Sequence, residues 1–410
     1  MKRQLWLVLL ACVVLSQLVL AESPTSIPVD SHFVLSAFNS TTGTVTDLGV
    51  KSLHSSVLAT RKGIFGIDGG VNLSAGNDTF GSSNINRYFT NLDENLKNEI
   101  LNLIGPDGIK LTPVLNAGSR FQLGILGFSG RVIGEASGYL SRDFVELLLK
   151  GNQLNRTYSL DPQLRAAFMG DAKAQVAFRI PFLSKLLPLE DLALGIGYHY
   201  IPAGLYMVAD TEINFTPIYT ENEAKIEREI TGDLFISQTV KGSALDLGLL
   251  VRPNKKLYLA ASVDGLNGVV KWSNFKHYLG EELNNMQTWE DINTSGTPVA
   301  GEVIQKLPLT TKLGVRYDLL NWLSVNSELK HTKLEDNSAW LNVTAGTDMT
   351  LLWVLPLKAS LTYDSRFKQF GYNLGTGLKL LFWEVNCEGY KRPFGSGDEI
   401  GAAISTSIKF

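Results

Sequence analysis

Phe370-Gly371-Tyr372-Asn373-Leu374-Gly375-Thr376-Gly377-Leu378-Lys379-Leu380 sets apolar or aromatic side chains at every even number, Thr376 apart, and glycine, Asn373 or Lys379 at every odd one. In a strand, successive side chains point to opposite faces, so this segment has one oily face and one wet, glycine-rich face. The same design recurs outward from it. Leu192, Leu194, Ile196, Tyr198 and Tyr200 alternate with Ala193, Gly195, Gly197 and His199. Ser243, Leu245, Leu247, Leu249 and Val251 interleave with Ala244, Asp246 and Gly248, and Leu309, Thr311, Leu313, Val315 and Tyr317 with Thr310, Lys312, Gly314 and Arg316.

A soluble β-sandwich also alternates, and a secreted β-protein is the competing class. Three features favour a barrel in a membrane. The polar face carries interspersed charges, among them Asp246, Lys312, Arg316, Glu328, Lys330, Asp348, Lys379, Glu384 and Glu388, as a wet lumen requires. Aromatics gather in two bands a strand's length apart: Trp322, Trp353 and Trp383 beside short turns, Tyr363, Phe370 and Tyr372 at the opposite ends. The chain closes on Ile404-Ser-Thr-Ser-Ile408-Lys-Phe410, apolar at alternate positions up to a terminal phenylalanine. Ile408 and Phe410 resemble the signal read by the barrel assembly machinery. Because hydrocarbon cannot hydrogen-bond a peptide group, a spanning sheet must close on itself.

The expected fold is therefore all-β: a closed antiparallel transmembrane β-barrel. Sixteen candidate strands fall at 64–74, 119–126, 129–139, 174–182, 191–201, 204–216, 226–237, 242–252, 256–264, 306–317, 322–332, 339–353, 355–365, 369–381, 383–391 and 400–410, and fourteen is the preferred total. With Phe410 in the periplasm, the breaks near 253–255, 318–321, Leu355 and Phe382 fall inside and are short. The gaps 265–305, 333–338 and 392–399 fall outside, 265–305 as a long loop with Trp272, Phe275, Tyr278 and Trp289 among acidic residues. The break at 217–225 is long for an inner turn.

Ahead of the barrel, Met1-Lys2-Arg3, an apolar run from Leu5 to Ala21 and small residues at Val19 and Ala21 have the layout of a signal peptide cleaved near Ala21. That predicts export to the cell outer membrane, with membrane lipid as the partner of the oily face. Residues 22–62 lack alternation and are expected to form a hatch or plug segment, leaving 63–410 as the barrel. Two helical insertions are expected: 91–104, with Leu92, Leu96, Ile100, Leu103 and Ile104 on one face, and 141–150, capped by Ser141. Neither can touch lipid, so both should plug the lumen or lie at its rim.

The net charge of −3 at pH 7 is too mild and too evenly spread for a nucleic-acid partner. Loss of residues 1–21 leaves Cys387 as the one cysteine, on the outward parity, so no intrachain disulfide is expected. His32, His54, His199, His277 and His331 show no metal-ligand spacing, and no glycine-flanked nucleophile or phosphate-cradling motif occurs. No catalytic residue, metal site or cofactor is expected. Lys312, Arg316, Lys358, Lys379 and His199 are the candidate ligand-binding residues of the lumen, where a cation would attract a carboxylate head group. The structural reading, a salt-bridge lattice with Glu328, Asp348, Asp364 and Glu384, is the favoured one.

Gly127-Phe128-Ser129-Gly130-Arg131-Val132, then Leu148-Leu149-Lys150-Gly151-Asn152, then Gly195 to Ile201 and Val263 to Trp272 together resemble the FadL-type outer-membrane barrels, the long-chain fatty-acid transporter-like and PorV-like group. The likeness runs loosely over residues 40–410. It implies a fourteen-stranded barrel with an N-terminal hatch inside, and passage of hydrophobic compounds. The Asn-Pro-Ala phrase common before the first strand of such barrels is absent between Thr41 and Gly63. A passive channel for hydrophobic or amphipathic small molecules is the leading expectation. The alternative is a structural, adhesive or secretion-partner barrel with a plugged lumen.

Overall fold

The computed structural model describes residues 65–81, 93–106, 108–151, 153, 155–160, 163–182, 189–219, 224–279 and 296–409. The expected signal peptide, the hatch segment 22–62, Leu92, Trp289 and Phe410 lie outside the described residues.

Alternation produces strands as expected, in the order β1 (Phe65–Asn77), β2 (Ile109–Leu123), β3 (Leu126–Leu140), β4 (Tyr158–Leu160), β5 (Gln163–Arg179), β6 (Asp191–Tyr219), β7 (Ala224–Arg252), β8 (Leu257–Leu279), β9 (Thr297–Lys306), β10 (Leu309–Leu320), β11 (Leu323–Lys333), β12 (Ala339–Leu351), β13 (Leu355–Asp364), β14 (Gln369–Leu380), β15 (Trp383–Phe394) and β16 (Gly397–Lys409). All pair antiparallel. β16 pairs β1, with Gly66 opposite Lys409, and β8 pairs β10, with Asp264 opposite Thr310, so the sheet closes. β4 pairs only the upper part of β6 and β9 only the upper part of β8. Of the sixteen described strands, the other fourteen make the ring.

The preferred total was right although two of its parts were not. The candidates 191–201 and 204–216 are one strand, β6, as 226–237 and 242–252 are one strand, β7. Pro202 lies between the two candidates, and the chain passes it by a bulge: Gly170 and Ala172 of β5 face Ala203 and Tyr200 of β6. The extra residue flips the parity, so Tyr200 is exposed while Tyr206, also even-numbered, is buried. This moves 217–225 to the long-loop end and removes the strain in the expected turn scheme. The candidates 119–126 and 129–139 are two strands, β2 and β3, but β2 starts earlier, at Ile109, and the turn falls at Gly124-Ile125. The stretch 265–305 is not a loop throughout, since β8 runs on to Leu279 and β9 starts at Thr297. Irregular parity hid them: β8 bulges twice between Val263 and Val269, with Gly265 and Asn267 at positive φ. Trp353 sits in the turn at 352–354 rather than in β12.

Outward rows are apolar and exposed, for example Phe370, Tyr372, Leu374, Leu378 and Leu380 on β14 and Leu313, Val315 and Tyr317 on β10. Trp383 shares that face, Tyr363 lies against Phe370 with ring centroids 5.1 Å apart, and Cys387 is exposed as its parity required. Ile408 lies opposite Trp383 on the β15–β16 ladder. No helix among the described residues is long and apolar enough to cross a membrane.

The two helices are α1 (Glu94–Leu103) and α2 (Arg142–Lys150). Asp93 caps α1, accepting from the Leu96 N–H at 2.8 Å, and Ser141 caps α2, accepting from the Phe144 N–H at 3.2 Å. Gly151, at φ 79°, closes α2 by donating to the Leu147 carbonyl. Ile100, Leu101 and Ile104 of α1 pack with Val145 of α2 and Ile109 of β2. Leu103, expected on that face, is exposed. The helices join strands at the long-loop end, at the rim.

Candidate functional site

The inner face changes character at one height across neighbouring strands. Nearer the short turns it is charged: Arg131 on β3, Asp171 and Lys173 on β5, His199 on β6, Asp246 on β7, Asp264 on β8 and Lys312 on β10. Directly above it, β3 and β5 to β8 carry an apolar layer, with Ile133, Met169, Ile201, Tyr206, Val240, Val270, Trp272 and Phe275 in one buried cluster closed by Val303 of β9 and Leu307, and polar groups return nearer the long loops at Glu135 and at the Asp233–His277 pair. The bulges of β6 and β8 and the break between β9 and β10 lie at this boundary.

His199 is the hub of the charged layer. Its Nδ1 lies 2.9 and 3.0 Å from the two Asp171 oxygens, and its Nε2 lies 2.7 Å from Asp246 Oδ2. Each ring nitrogen therefore faces a carboxylate able to accept an N–H from it. Arg131 Nε donates to Asp171 at 2.5 Å, and Lys173 pairs with Asp246. Asp246 also accepts the Gly265 N–H at 3.0 Å, which pins the β8 bulge. Lys312 then pairs with Asp264 at 2.9 Å. Charges this buried persist because each finds an opposite partner and further hydrogen bonds.

The expected lumen residues do not converge on one ligand. Arg316 Nε reaches Asp318 at 2.8 Å, and its Nη1 crosses β11 to Asp348 at 3.2 Å, where the Asn326 amide also donates. Lys358 stands opposite Asp348 on the β12–β13 ladder, and Lys379 opposite Glu384 on β14–β15. Of the expected acidic partners, Asp364 instead takes Arg366 at 2.7 Å, and Glu384 accepts from the Asn386 amide at 3.1 Å. Arg131, Asp171, Lys173 and Asp264 were absent from the sequence-derived set. The alternation of Asp171, Lys173 and Gln175 was the signal for two of them, and it lay just before the expected strand start at 174.

The apolar layer depends on glycine. A Cβ on Gly204 would lie 2.6 Å from the Phe168 carbonyl and 3.0 Å from the Trp272 ring, so Gly204 makes the space the indole fills. The Trp272 Nε1–H donates to Gln305 Oε1 at 2.9 Å, which satisfies the one polar atom of a fully buried side chain. Tyr206 packs against Trp272 and Phe275 with ring centroids 5.3 and 6.1 Å away. Trp272, Phe275 and Tyr278 of the expected outer loop are thus inside the wall, on β8.

Residues 203–387 match a family of unknown function, DUF5723. No curated protein matches the chain. Among solved structures, the toluene transporter TbuX of Ralstonia pickettii is 10% identical, covering 91% of this chain and 97% of its own, with a TM-score of 0.53. The toluene transporter TodX of Pseudomonas putida is 10% identical over 89% of this chain and 96% of its own, with a TM-score of 0.51. In fold, the chain resembles the FadL/TodX-type outer-membrane transport barrels.

Proposed function

We propose that this barrel is a passive conduit of the cell outer membrane for hydrophobic or amphipathic small molecules. The observation that carries the reading is the change of the inner wall, at one height, from an apolar, aromatic layer to a charged layer. An apolar solute entering from the long-loop end would meet side chains that can replace its lost water, and a carboxylate head would meet cations below them. His199, Lys312 and Arg316 are the candidate head-group contacts, with Lys358 and Lys379 further round the wall. The two barrels whose fold it shares are toluene transporters, which supports a hydrophobic cargo and a non-enzymatic role. Export by a leader cleaved near Ala21, a hatch at 22–62, a loop facing outward between β8 and β9, and assembly through Ile408 and Phe410 complete the proposal.

A second reading rests on the same layer. Tyr206, Val270 and Trp272 are fully buried by their own neighbours, as in a wall built only to be solid, which suits a structural or secretion-partner barrel. Uptake of a hydrophobic dye or a fatty acid by vesicles containing the full chain separates the two. Phe275→Asp should abolish uptake while heat-dependent gel mobility is kept. No uptake by the parent chain, also after deletion of residues 22–60, would sink the conduit.

A further inference from the structure

Lys330 is an inward cation set among other cations. It is the eighth of the eleven residues of β11, counted from the short turn, and shares the inward row of Asn326 and Glu328. Directly opposite it on β10 stands Lys312, and like charges so placed repel. Its neighbour on the other side, on β12, is the neutral Asn342.

The carboxylates of the adjoining strands are already engaged. Asp264 takes Lys312 at 2.9 Å, and Asp364 takes Arg366, whose Nη2 donates at 2.7 Å and whose backbone N–H donates at 2.9 Å. The charges acting most strongly on Lys330 are Lys312, Glu328, Arg392 and Arg366, three cations against one carboxylate. Arg392, on β15, lies over the Tyr390 ring at 4.4 Å, with Glu399 opposite it on β16. Among the described residues, neither Lys330 nor Arg392 has a carboxylate at ion-pair distance.

The surroundings suit a bound anion. Arg366 rests on the Trp340 ring at 4.2 Å, and Trp340 stands opposite Thr332, two residues beyond Lys330 on the inward row. A half-buried cation in a positive field lacks the partner that normally offsets its lost hydration, so the cluster is complete only with an anion.

We propose that Lys330 and Arg392, with Arg366 beside them, bind a phosphate group, free or at the head of an amphiphile, in the outer half of the bore. Two cations without carboxylates match a phosphate monoester, which carries about −1.5 to −2 at pH 7, better than a carboxylate with its single charge. As the head-group subsite of a cargo, the site rests on the conduit reading; as a phosphate site it stands without it.

Isothermal titration calorimetry on the full chain in non-ionic micelles, in phosphate-free buffer, tests it with inorganic phosphate, hexyl phosphate and hexanoate. Both phosphates should bind, and hexanoate should bind about tenfold more weakly or not at all. Lys330→Gln and Arg392→Gln should each weaken phosphate binding by about tenfold or more, the effect of a lost charge-assisted hydrogen bond. Lys255→Gln, in the exposed turn after β7, should not. Urea midpoints in vesicles give a second measurement. Without phosphate, Lys330→Gln should be at least as stable as the parent, because it removes a repelling charge; phosphate should raise the parent's midpoint and leave the variant's unmoved. Failure of both phosphates to bind, unchanged phosphate affinity in both variants, or hexanoate binding as tightly as hexyl phosphate overturns the proposal. Tighter binding of hexyl phosphate than of inorganic phosphate supports the site as a cargo subsite, whereas equal binding supports a site for free phosphate that is separate from the conduit.

Discussion

Asp246→Ala removes the acceptor on which three donors converge in the charged layer. His199 Nε2, Lys173 Nζ and the Gly265 N–H all end on its carboxylate, and the residue is only 4% exposed. Breaking a buried ion pair on one side costs about 3–5 kcal/mol, because the remaining charge keeps its desolvation penalty without the attraction. The orphaned Gly265 amide adds roughly 1 kcal/mol. Asp246→Asn keeps an acceptor but no charge, so it should fall between the parent and the alanine variant. Lys271–Glu302 is the control: a 2.5 Å pair with both side chains nearly half exposed, for which Glu302→Gln should cost about 0–1 kcal/mol. Urea unfolding in lipid vesicles, followed by the heat-dependent gel shift, reads all three. Equal midpoints for Asp246→Ala and Glu302→Gln would refute the claim that the layer around His199 is dry and mutually neutralised.

Further outcomes follow from packing, parity and charge. Gly204→Ala should destabilise by about 1–3 kcal/mol through overpacking against the Phe168 carbonyl and Trp272, and a red-shifted tryptophan emission would accompany it. Leu374→Lys on the lipid face should cost about 2–4 kcal/mol, whereas Ser360→Lys on the inner face of neighbouring β13 should cost far less; equal unfolding midpoints would contradict the assigned faces. Arg156 donates to Glu146 at 3.0 Å and to Asp143 at 3.2 Å, tying the segment after α2 to the helix, and the Arg156 hydrogen bond holds the Glu146 carboxyl below its usual range. A lowered folded-state pKa stabilises above the unfolded value near 4.3 and is lost as pH falls through the folded one. Pepsin cleavage at 151–157 should therefore rise as pH falls from about 5 to about 3, and Glu146→Gln should show no such rise.

The barrel was legible because lipid enforces a rule that the sequence must write down. Every spanning strand needs one oily row, and that row survives in β10 to β16 as uninterrupted alternation. Cys387, Trp383 and Phe370 could be assigned to the outer face by parity alone. The helix at Ser141 was equally readable, since its cap, its apolar face and Gly151 are local features. The tall wall of β6 to β8 was not. At Ile201-Pro202 and from Asp264 to Gly268 the alternation slips, and a sequence window takes a slip for an ending.

Sequence by itself determined the class of the fold, the outward faces and the two short helices, because these depend on period and on local hydrogen bonding. Only the tertiary structure decided that His199 lies between Asp171 and Asp246, that Trp272 is buried in the space left by Gly204, and that the inner wall changes from charged to apolar at one height. Those facts depend on strand register across residues far apart in the chain, and register is fixed by the closing of the sheet, which no single segment encodes.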